Sequence, residues 1–460
     1  MIIEVLALDI VILAAGKGTR MRSTKPKVLQ QIAGKSMLCH LLDTCSTLPG
    51  TAQHPILVLG YGRDQVASEV AGRELILVDQ PEQLGTGHAV QQALPHLSDS
   101  GVTLILYGDV PLISADTLSA LLLSAGDEAL GLLTVVLGNP TGYGRILRDS
   151  DGRITQIVEE KDASAEQKAI TEINTGIMAV PNSALKRWLG QLNNDNAQGE
   201  YYLTDIIAMA SAEGIAINAC QPSLGWEVEG VNNRIQQAKL ERLYQRHLAD
   251  TFMSQGLALA DPGRFDCRGQ LHFGEDVFID INVIIEGEVS LGDGVTIGPN
   301  CVIKNSHIGA GSRIEANSVL EAAHVEERCS VGPYARLRPG THLQKTARVG
   351  NFVEVKKSVI GVGSKVNHLS YIGDCDMGKG VNIGAGTITC NYDGVNKFRT
   401  EIGDDCFVGS NTALVAPVAL ASGTTVAAGS TITRSTGEHE LAIARGKQRN
   451  IAGWQRPVKQ

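Results

Sequence analysis

The chain has 460 residues, of which 43% are hydrophobic and 19% charged, and its formal net charge is −9. This composition excludes a disordered chain, the length favours two or three domains, and the acidic balance argues against a general nucleic-acid or anionic-membrane binder. The nine cysteines form no C-x-x-C motif, which favours reduced thiols in the cytoplasm over disulfides or a zinc site.

The chain begins with the apolar run MIIEVLALDIVILAA, which is hydrophobic enough for the core of a signal peptide. No Lys or Arg precedes this run, and Glu4 and Asp9 interrupt it, so we interpret it as a buried strand. No run of about 18 uninterrupted apolar residues occurs, and we therefore expect no membrane span.

Up to about Asn233, strand-like and helix-like segments alternate. The strand-like segments are IVILAA, PILVLG, ELILVD, TLILYGD and GLLTVVL, and amphipathic segments such as SMLCHLLDTC, TGHAVQQALPHL and ADTLSALLLSA lie between them. This alternation predicts an α/β, Rossmann-like domain with a mostly parallel, doubly wound sheet. Because ligands of such sheets bind at the carboxyl ends of strands, the loops after IVIL and LILY are the first candidates for a site.

The loop after IVIL, LAAGKGTRMRSTKPK, is rich in glycine and positive charge. It is not a dinucleotide fingerprint, because Met21 stands where the third glycine is required, and it lacks the Gly-Lys-Ser/Thr of a Walker A loop. Gly16 and Gly18 would let backbone N–H groups approach a polyphosphate, and Arg20 and Lys27 would offset its charge. A phosphate-binding loop and an ordinary turn both remain open.

Two later motifs in this half favour a nucleotide site. LYGDVP places Asp109 at the end of a buried strand, where a magnesium ligand is expected, although a cap of the following helix is the alternative. EQLGTGHA is a second glycine turn that enters a helix. It either contacts the edge of a base through backbone groups or only starts the helix.

Residues 234–255, RIQQAKLERLYQRHLADTFMSQ, contain no Gly or Pro. They predict a single helix about 33 Å long at 1.5 Å per residue. We interpret this helix as a linker between a first domain, residues 1–233, and a second domain, residues 256–460.

From about Leu257 the apolar residues recur every six positions, with occasional steps of five. The set includes Leu291, Ile297, Ile303, Ile308, Ile314, Val325, Val331, Leu337, Leu343, Val349, Val355, Ile360, Val366, Ile372, Ile402, Val408, Leu414, Leu420, Val426 and Ile432. A period of six differs from the period of two of an ordinary half-buried strand, and it is typical of a hexapeptide repeat. We therefore predict a left-handed parallel β-helix in which each repeat is one strand and one corner.

Two features of the second half depart from the plain repeat. TCNYDGVNKFRT, Thr389–Thr400, interrupts it, and insertions in solenoids often form functional loops. Residues 441–460 carry five positive side chains and neither Asp nor Glu. This tail would suit the phosphates of a ligand, and a solvated basic tail is the alternative.

One of the 11 histidines has distinctive surroundings. His368, in KVNHLSYIGD, lies between the inward positions Val366 and Ile372 and close to Tyr371. Glu354 precedes it in the chain, and it lies on the preceding coil if a coil takes about three hexads. We expect the other ten histidines to be structural or solvated.

The motifs together resemble a known family. LAAGKGTRM followed by KPK resembles the signature of the sugar-1-phosphate nucleotidyltransferases, and GTGHA, YGDVP, TGYGRI, EINTGI, GEYYLTD and EGVNNR follow in order. With the hexapeptide half added, nearly the whole chain resembles the bacterial bifunctional N-acetylglucosamine-1-phosphate uridyltransferases and glucosamine-1-phosphate N-acetyltransferases. The resemblance implies acetyl transfer from acetyl-CoA to glucosamine-1-phosphate, then uridylyl transfer from UTP to N-acetylglucosamine-1-phosphate, for bacterial envelope synthesis.

The resemblance also implies roles in the first half. Arg20 would be the partner of the leaving pyrophosphate, and Asp109 and Asn232 would hold Mg²⁺. The remaining expected contacts with UTP and the sugar are Leu13, Ala14, Ala15, Gly16 and Lys27 at the triphosphate, Gln80, Gly85 and Thr86 at the uracil, Tyr107 and Gly108 beside Asp109, and Gly144, Glu159 and Asn174 at the sugar. The attacking sugar phosphate is already ionised at neutral pH, so the reaction needs charge neutralisation rather than a general base.

In the second half, the resemblance implies that His368 is the general base of acetyl transfer, a task that suits an imidazole near neutral pH. Glu354 is expected to orient His368. Arg338 and Lys356 would bind the sugar phosphate, with Tyr371 and Asn382 beside them. The expected acetyl-CoA positions are Ala385, Asn391, Tyr392, Ser410, Ala428 and Arg445.

Three interpretations of the whole chain follow. It is a bifunctional enzyme, a nucleotidyltransferase whose β-helix only regulates or assembles it, or a non-catalytic scaffold. His368, the insertion and the basic tail favour the first interpretation over the second, and Lys27, Asp109 and Asn232 argue against the third. By resemblance we also expect a homotrimer that builds the acetyl site from neighbouring subunits.

Overall fold

The structure is a computed structural model of the chain, and it describes residues 7–50, 54–126 and 128–459. The chain divides into two compact units, Met1–Leu243 and Tyr244–Gln460. The start of the predicted N-terminal strand, Met1 to Leu6, lies outside the described residues. The rest of that strand is confirmed, because Leu8–Ala14 forms a strand with all seven side chains buried.

The first unit contains strands and helices in alternation. Its strands are β1 (Leu8–Ala14), β2 (Gln31–Ile32), β3 (Lys35–Ser36), β4 (Ile56–Leu59), β5 (Ile76–Asp79), β6 (Val102–Tyr107), β7 (Ala129–Val136), β8 (Arg145–Arg148), β9 (Ile154–Val158), β10 (Glu172–Pro181) and β11 (Ala216–Cys220). Its helices are α1 (Met37–Ser46), α2 (Arg63–Glu69), α3 (Thr86–Ala93), α4 (Ala115–Ser124), α5 (Ala165–Lys168), α6 (Asn182–Leu189) and α7 (Asp205–Ala212). Helix α8 (Arg234–Ser254) confirms the predicted long helix, and the boundary between the two units falls within it.

The main sheet of the first unit has the strand order β11-β7-β10-β6-β1-β4-β5. Strand β1 is parallel to both of its neighbours, β4 and β6. The carboxyl ends of β1 and β6 therefore meet at one edge, as the sequence predicts. Strand β10 is antiparallel to β6 and β7, so the sheet is mixed on that side.

Alternating side chains of β1 enter two separate hydrophobic cores. Ile10 and Ile12 pack into one core with residues of α1 and α4. Val11 and Leu13 pack into the other core with residues of α3, α6 and α7. Because successive side chains of a strand point to opposite faces, helices cover both faces of the sheet, which confirms the doubly wound architecture.

The second unit is a parallel β-helix with three strands in each coil. In one coil the chain runs through Arg348–Asn351, Glu354–Lys356 and Val359–Ile360 before Lys365–His368 begins the next coil. His307 pairs with His324 and His324 pairs with His342, so each coil takes close to three hexads. The apolar hexad positions point inward and are buried, which confirms the predicted repeat.

The strands of the β-helix form three faces. Face 1 consists of Ala258–Leu259, Phe278–Ile279, Thr296–Ile297, Arg313–Ile314, Ser330–Val331, Arg348–Asn351, Lys365–His368, Asn382–Ile383, Phe407–Val408, Thr425–Val426 and Leu441–Ala442. Face 2 consists of Val302–Lys304, Val319–Glu321, Arg336–Leu337, Glu354–Lys356, Tyr371–Gly373, Ile388–Cys390, Ala413–Val415 and Thr431–Ile432. Face 3 consists of His307–Ile308, His324–Val325, His342–Leu343, Val359–Ile360, Cys375–Met377, Thr400–Ile402 and Val418–Leu420. The long strands Phe265–Phe273 and Val283–Leu291 pass from face 2 to face 3.

The corner between faces 1 and 2 requires left-handed backbone. Asn282, Asn300 and Asn317 occupy it with φ of 59°, 60° and 59°. Asparagine tolerates this region better than most residues. Further along the same corner, Tyr334, Phe352 and Leu369 adopt similar values of 56°, 55° and 49°.

Candidate active sites

The first site forms where β1 and β6 end. The backbone N–H of Gly108 donates to the carbonyl of Leu13 at 2.9 Å, which joins the loops that follow the two strands. The N–H of Val231 donates to the carbonyl of Asp109, also at 2.9 Å. This bond brings Asn232 to the same edge, although it lies far from Asp109 along the chain.

Four polar side chains of the first site converge. The ammonium of Lys27 forms an ion pair with Asp109 and donates to Asn232 Oδ1 at 3.1 Å. Arg20 Nη2 donates to the same amide oxygen at 3.0 Å. The alternative that Asp109 caps the next helix does not hold, because the N-cap of α4 is Ser114.

The predicted metal ligands Asp109 and Asn232 offer a carboxylate and an amide oxygen, which are hard donors that suit Mg²⁺. Both oxygens already contact one cation, the ammonium of Lys27. The donor set therefore fits a divalent ion, and the ammonium would have to move to admit it.

A cavity of about 230 Å³ opens beside these side chains. Ten of the residues expected to bind UTP or the sugar line it, namely Leu13, Ala14, Ala15, Gly16, Lys27, Gln80, Gly85, Thr86, Tyr107 and Asp109. Val28, Gln83, Ala89 and Glu200 complete its wall. The sequence therefore identified most of the cavity, and the residues it missed contribute one further charge, the Glu200 carboxylate.

A tight backbone crossing builds the side of the cavity where the uracil is expected. Gly85 has φ of 115°, and a Cβ on it would lie 2.6 Å from the carbonyl oxygen of Tyr201. That oxygen accepts a hydrogen bond from Gly87 N at 2.8 Å, and Tyr201 N donates to Leu84 O at the same distance. Gln80 Nε2 donates to Gly85 O at 3.2 Å. Only glycine fits at position 85, and GEYYLTD is the segment that packs against it.

The three residues expected at the sugar also lie together. Asn174 N donates to Gly144 O at 2.9 Å, and a Cβ on Gly144 would lie 3.4 Å from Glu159 Oε1. The hydroxyl of Thr204 donates to Glu159 Oε1 at 3.1 Å. Burial raises the pKa of Glu159 above its ordinary value, although this hydrogen bond opposes the shift. Thr204 belongs to GEYYLTD, the only sequence signal that pointed to it.

Tyr107 connects the three residues expected at the sugar to the cavity. Its ring packs against Gly176, where a Cβ would lie 2.7 Å from the ring, and Gly176 N donates to Asn174 Oδ1 at 2.9 Å. Burial raises the pKa of the Tyr107 phenol, and the nearby carboxylate of Glu159 adds to the effect. The two predicted groups of residues thus form one continuous site in the first unit.

The second site lies on the β-helix, at the end of a face 1 strand. His368 is exposed, and its Nδ1 lies 2.9 Å from Oδ1 of Asn351. Asn351 and His368 are register partners on adjacent coils. One full coil of the chain therefore separates them, and Asn351 lies directly beneath the histidine.

Glu354 has a different contact from the expected one. It pairs in register with Tyr371, and its Oε1 accepts from Arg338 Nη1 at 2.8 Å. Glu354 lies on the coil before His368, as expected. It is, however, beyond the corner, on face 2, whereas His368 ends a face 1 strand. The side chain that contacts the histidine is Asn351, which the sequence did not single out.

Four of the expected acetyl-site positions form a column along one corner of the β-helix. Val366, Ile383, Val408 and Val426 are register partners on successive coils. The residues two positions further along the chain are His368, Ala385, Ser410 and Ala428, which therefore stack in the same order. Backbone bonds agree with this column, since Gly386 N donates to His368 O, Asn411 N to Ala385 O and Gly429 N to Ser410 O. With about 4.8 Å between coils, the column is about 14 Å long. We refer to it as the corner column.

Arg445 closes the far end of the corner column. Its Nη1 donates to the carbonyl of Ala428 at 2.7 Å. It is the first positive residue of the basic tail, and the side chains of Lys447, Arg449 and Arg456 are exposed beyond it. Positive charge thus follows the end of the column that is farther from His368.

A second group of charges lies on face 2. Arg338 and Lys356 flank Glu354, and Lys397 from the inserted loop approaches Lys356. Contact with the ammonium of Lys397 lowers the pKa of Lys356. The predicted phosphate-binding pair thus has a third, unpredicted cation beside it.

The remaining predicted residues take separate places. The phenol of Tyr371 lies over Gly373, where a Cβ would lie 2.3 Å from the hydroxyl oxygen. Asn391 is buried and donates to Asp374, whereas Tyr392 is exposed in the inserted loop. Asn382 pairs in register with Lys365, at the opposite end of the strand from His368. Within one chain, the structure does not bring Asn382 to the histidine.

Family models match both units. A MobA-like NTP transferase domain matches residues 10–161, a bacterial transferase hexapeptide of six repeats matches residues 272–305, and the hexapeptide repeat of succinyl-transferase matches residues 399–434. Across the described residues, no helix has both the length and the apolar character needed to cross a membrane.

Curated relatives match the chain over nearly its full length. Bifunctional protein GlmU of Cellvibrio japonicus is 60% identical over 98% of this chain and 99% of its own. Bifunctional protein GlmU of Idiomarina loihiensis is 58% identical over 98% of each chain, and that of Stutzerimonas stutzeri is 58% identical over 99% of this chain and 100% of its own. The similarity therefore includes both units.

Proposed function

The chain belongs to the family of bifunctional GlmU proteins, and on that premise we propose which substrates and residues carry its two transfer reactions. It is a bifunctional transferase with an acetyltransferase and a uridylyltransferase activity, which fits cell-wall synthesis. In the proposed order of reactions, the acetyl group of acetyl-CoA is first transferred to glucosamine-1-phosphate. The uridylyl group of UTP is then transferred to N-acetylglucosamine-1-phosphate. We assign the second reaction to residues 1–233 and the first to residues 256–460, with residues 234–255 as the linker.

In uridylyl transfer, a phosphate oxygen of N-acetylglucosamine-1-phosphate attacks the α-phosphorus of UTP, and the bond to pyrophosphate breaks. Gly144, Glu159 and Asn174 hold the sugar, while Gln80, Gly85 and Thr86 hold the uracil. Tyr107 lines the cavity between the two groups, and Gly108 lies next to it, where its N–H donates to Leu13. The site's chief task is to hold two anions together, which requires positive charge and backbone donors rather than a base.

Lys27 and Arg20 supply that positive charge. Lys27 lines the cavity together with Leu13, Ala14, Ala15 and Gly16, and Arg20 shares its contact with Asn232. When the triphosphate enters, Lys27 exchanges its carboxylate partner for phosphate oxygens, and Arg20 stabilises the departing pyrophosphate.

Proteins of this family use a divalent metal ion, and we propose Mg²⁺ held by Asp109 and Asn232. Bound there, the ion would neutralise charge on the phosphates. The exchange of Lys27 from Asp109 to phosphate, together with the movement of Arg20 from Asn232 to pyrophosphate, would free both oxygens for the ion.

In acetyl transfer, the amine of glucosamine-1-phosphate attacks the thioester carbonyl, and the carbon–sulfur bond of acetyl-CoA breaks. His368 accepts the amine proton at Nε2, and the coenzyme A thiolate leaves. Asn351 Oδ1 accepts the hydrogen of Nδ1, which keeps the lone pair on Nε2. Arg338, Lys356 and Tyr371 bind the sugar phosphate, and Glu354 positions Arg338 through their ion pair.

The corner column is the proposed track for acetyl-CoA. Its backbone presents Ala385, Ser410 and Ala428 in line above His368, so an extended ligand on it would place the thioester at the histidine and its phosphates near Arg445. Asn391 and Tyr392 flank the track from the inserted loop. This alignment with His368 is the observation that favours a catalytic β-helix over a regulatory one.

We also propose that the chain forms a homotrimer in which Asn382 of one copy serves His368 of another. Tyr334, Phe352 and Leu369 are 53%, 57% and 61% exposed, and they form an apolar corner beside His368 that a neighbouring copy would cover. Sedimentation at assay concentration tests this assembly, and a fully active monomer would contradict it.

The nine free cysteines support the predicted cytoplasmic location.

A pair of variants tests the assignment of the two reactions. Asp109→Ala should abolish uridylyl transfer and keep acetyl transfer, and His368→Ala should do the reverse. Both activities should be measured on the full-length protein. Near-wild-type acetyl transfer by His368→Ala would remove the histidine from its role as the base.

A further inference from the structure

Face 3 of the β-helix carries a ladder of histidines away from the corner column. His307, His324 and His342 occupy one register position on three successive strands. The rings of His307 and His324 stack at 4.9 Å and 17°, whereas those of His324 and His342 meet edge to face at 4.8 Å and 76°. Glu326 directly follows the strand His324–Val325 and points to the same side as the histidine, because Val325 between them points into the core.

We propose that His324, Glu326 and His342 form a binding site for a divalent transition-metal ion, with Zn²⁺ as the best match. Their ligand atoms all lie within 4.8 Å of one another. A tetrahedral zinc site with bonds of about 2.0–2.2 Å needs ligand atoms roughly 3–3.5 Å apart. Small side-chain rotations would close that difference, and the strands need not move.

The chemistry of the three ligands selects among metals. Two imidazoles and one carboxylate suit Zn²⁺, whereas Mg²⁺ and Ca²⁺ prefer sites made only of oxygen. Three protein ligands leave the fourth tetrahedral position to water. The carboxylate also balances one of the two positive charges of the ion.

Neighbouring groups already hold the ligands in place. Glu326 Oε2 accepts from the backbone N–H of Lys345 at 3.0 Å, and Oε1 lies 2.8 Å from His342 Nε2. The ion would enter between these last two atoms and replace the Nε2 proton, which passes to solvent. The Lys345 ammonium is bound to Glu327 at 2.9 Å and does not compete for Glu326. Such outer contacts typically strengthen metal sites.

The proposed ion would join two coils of the β-helix. His324 and Glu326 belong to one coil and His342 to the next, and neither coil contributes its face 3 side chains to the corner column. The bound ion would therefore stabilise the stacking of two coils. This structural role is independent of both transfer reactions.

Calorimetric titration tests the site. Full-length protein without a histidine tag is stripped with chelator, dialysed, and titrated with ZnCl₂ in excess Mg²⁺. We expect one Zn²⁺ per chain, and His342→Gln should weaken binding by about tenfold or more. Glu326→Gln should also weaken it, and both variants should keep acetyl and uridylyl transfer, which shows that they fold. If His342→Gln is unstable, His324→Gln replaces it.

His307→Gln is the matched control. It removes a histidine from the same ladder, but two rings stacked at 17° cannot both direct a nitrogen lone pair at one ion. Its zinc affinity should stay within about threefold of wild type. Anomalous diffraction at the zinc edge should then place the ion between His324, Glu326 and His342. Equal affinity in wild type and His342→Gln, or a zinc peak elsewhere, would overturn the proposal.

Discussion

Nδ1 of His368 lies 2.9 Å from Oδ1 of Asn351, its register partner on the preceding coil. A carbonyl oxygen only accepts, so Nδ1 carries the ring hydrogen and Nε2 keeps a free lone pair. We predict that Asn351→Ala lowers kcat of acetyl transfer by about ten- to a hundredfold. This loss is a large part of the rate enhancement that a positioned general base supplies. Uridylyl transfer by the same preparation is the internal control and should be unchanged.

The split between kcat and KM separates positioning of the histidine from weaker substrate binding. Asn351→Ala should lower kcat and leave KM for acetyl-CoA close to the wild-type value, because Asn351 contacts His368 rather than the coenzyme. A variant with a normal kcat would show that the contact between Asn351 and His368 does not matter for the base.

The contact between Lys27 and Asp109 gives a second prediction. Lys27→Ala should lower kcat/KM of uridylyl transfer by about 10²–10³, because it removes a cation directed at the phosphates. Acetyl transfer should be unaffected. The control is Lys35→Ala in the same unit, since the Lys35–Asp43 pair is 48% and 41% exposed and should contribute little. Comparable losses in both variants would contradict a specific role for Lys27.

Gly85 supports a prediction about stability and activity together. Gly85→Ala should remove uridylyl transfer and lower the free energy of unfolding by about 1–3 kcal/mol, because the new Cβ adds a clash with Tyr201 to the backbone strain. Gly72→Ala is the matched control, since φ is 88° and the space around it is open. Urea unfolding of the two variants should show the larger loss at Gly85. Equal losses would mean that the crossing with Tyr201 can relax.

The position of Arg445 predicts a dependence on the ligand's phosphates. Arg445→Ala should raise KM for acetyl-CoA by about fivefold to tenfold at low salt, and the difference should shrink as ionic strength rises. Acetyl-pantetheine, which lacks the nucleotide phosphates, should give the same KM with wild type and variant. A difference in KM that persists with acetyl-pantetheine would mean that Arg445 contacts a part of the ligand other than the nucleotide phosphates.

The pair Lys356 and Lys397 predicts a pH effect. The Lys397 ammonium lowers the pKa of Lys356, so Lys356 loses its charge at a lower pH than an ordinary lysine. Binding of glucosamine-1-phosphate should therefore weaken on the alkaline side, and in Lys397→Ala that weakening should shift to higher pH. Calorimetric binding across the alkaline range checks the direction. A shift to lower pH would contradict the repulsion between the two ammonium groups.

The local sequence pattern predicted the architecture well, because the apolar residues that define the buried strands and the hexad repeat are visible within each segment. The runs IVILAA and TLILYGD became β1 and β6, side by side, and every named hexad position points inward. The antiparallel direction of β10 was not predicted, since periodicity indicates the burial of a strand and not its direction.

The functional residues that were missed depend on contacts between distant segments. Asn351 could be found only from the exact length of a coil, because a count in whole hexads does not identify which residue lies beneath His368. Tyr201 matters because Gly85 crosses its backbone, a relation that no local motif contains. The pairing of His324 and His342 has the same origin, and for this reason both were expected to be ordinary histidines.

The inserted loop shows where this solenoid tolerates changes in length. Ala385 and Ser410 are stacked neighbours although the loop lies between them, whereas His368 and Ala385 stack with no insertion in between. The loop therefore absorbs extra chain without breaking the column. An insertion or deletion of one residue inside a strand would instead reverse the side chains that follow it, so that those that point into the core would point outward. Evolution, or a designer grafting a peptide, can therefore change the chain's length between Tyr392 and Lys397 while each coil elsewhere must keep its count.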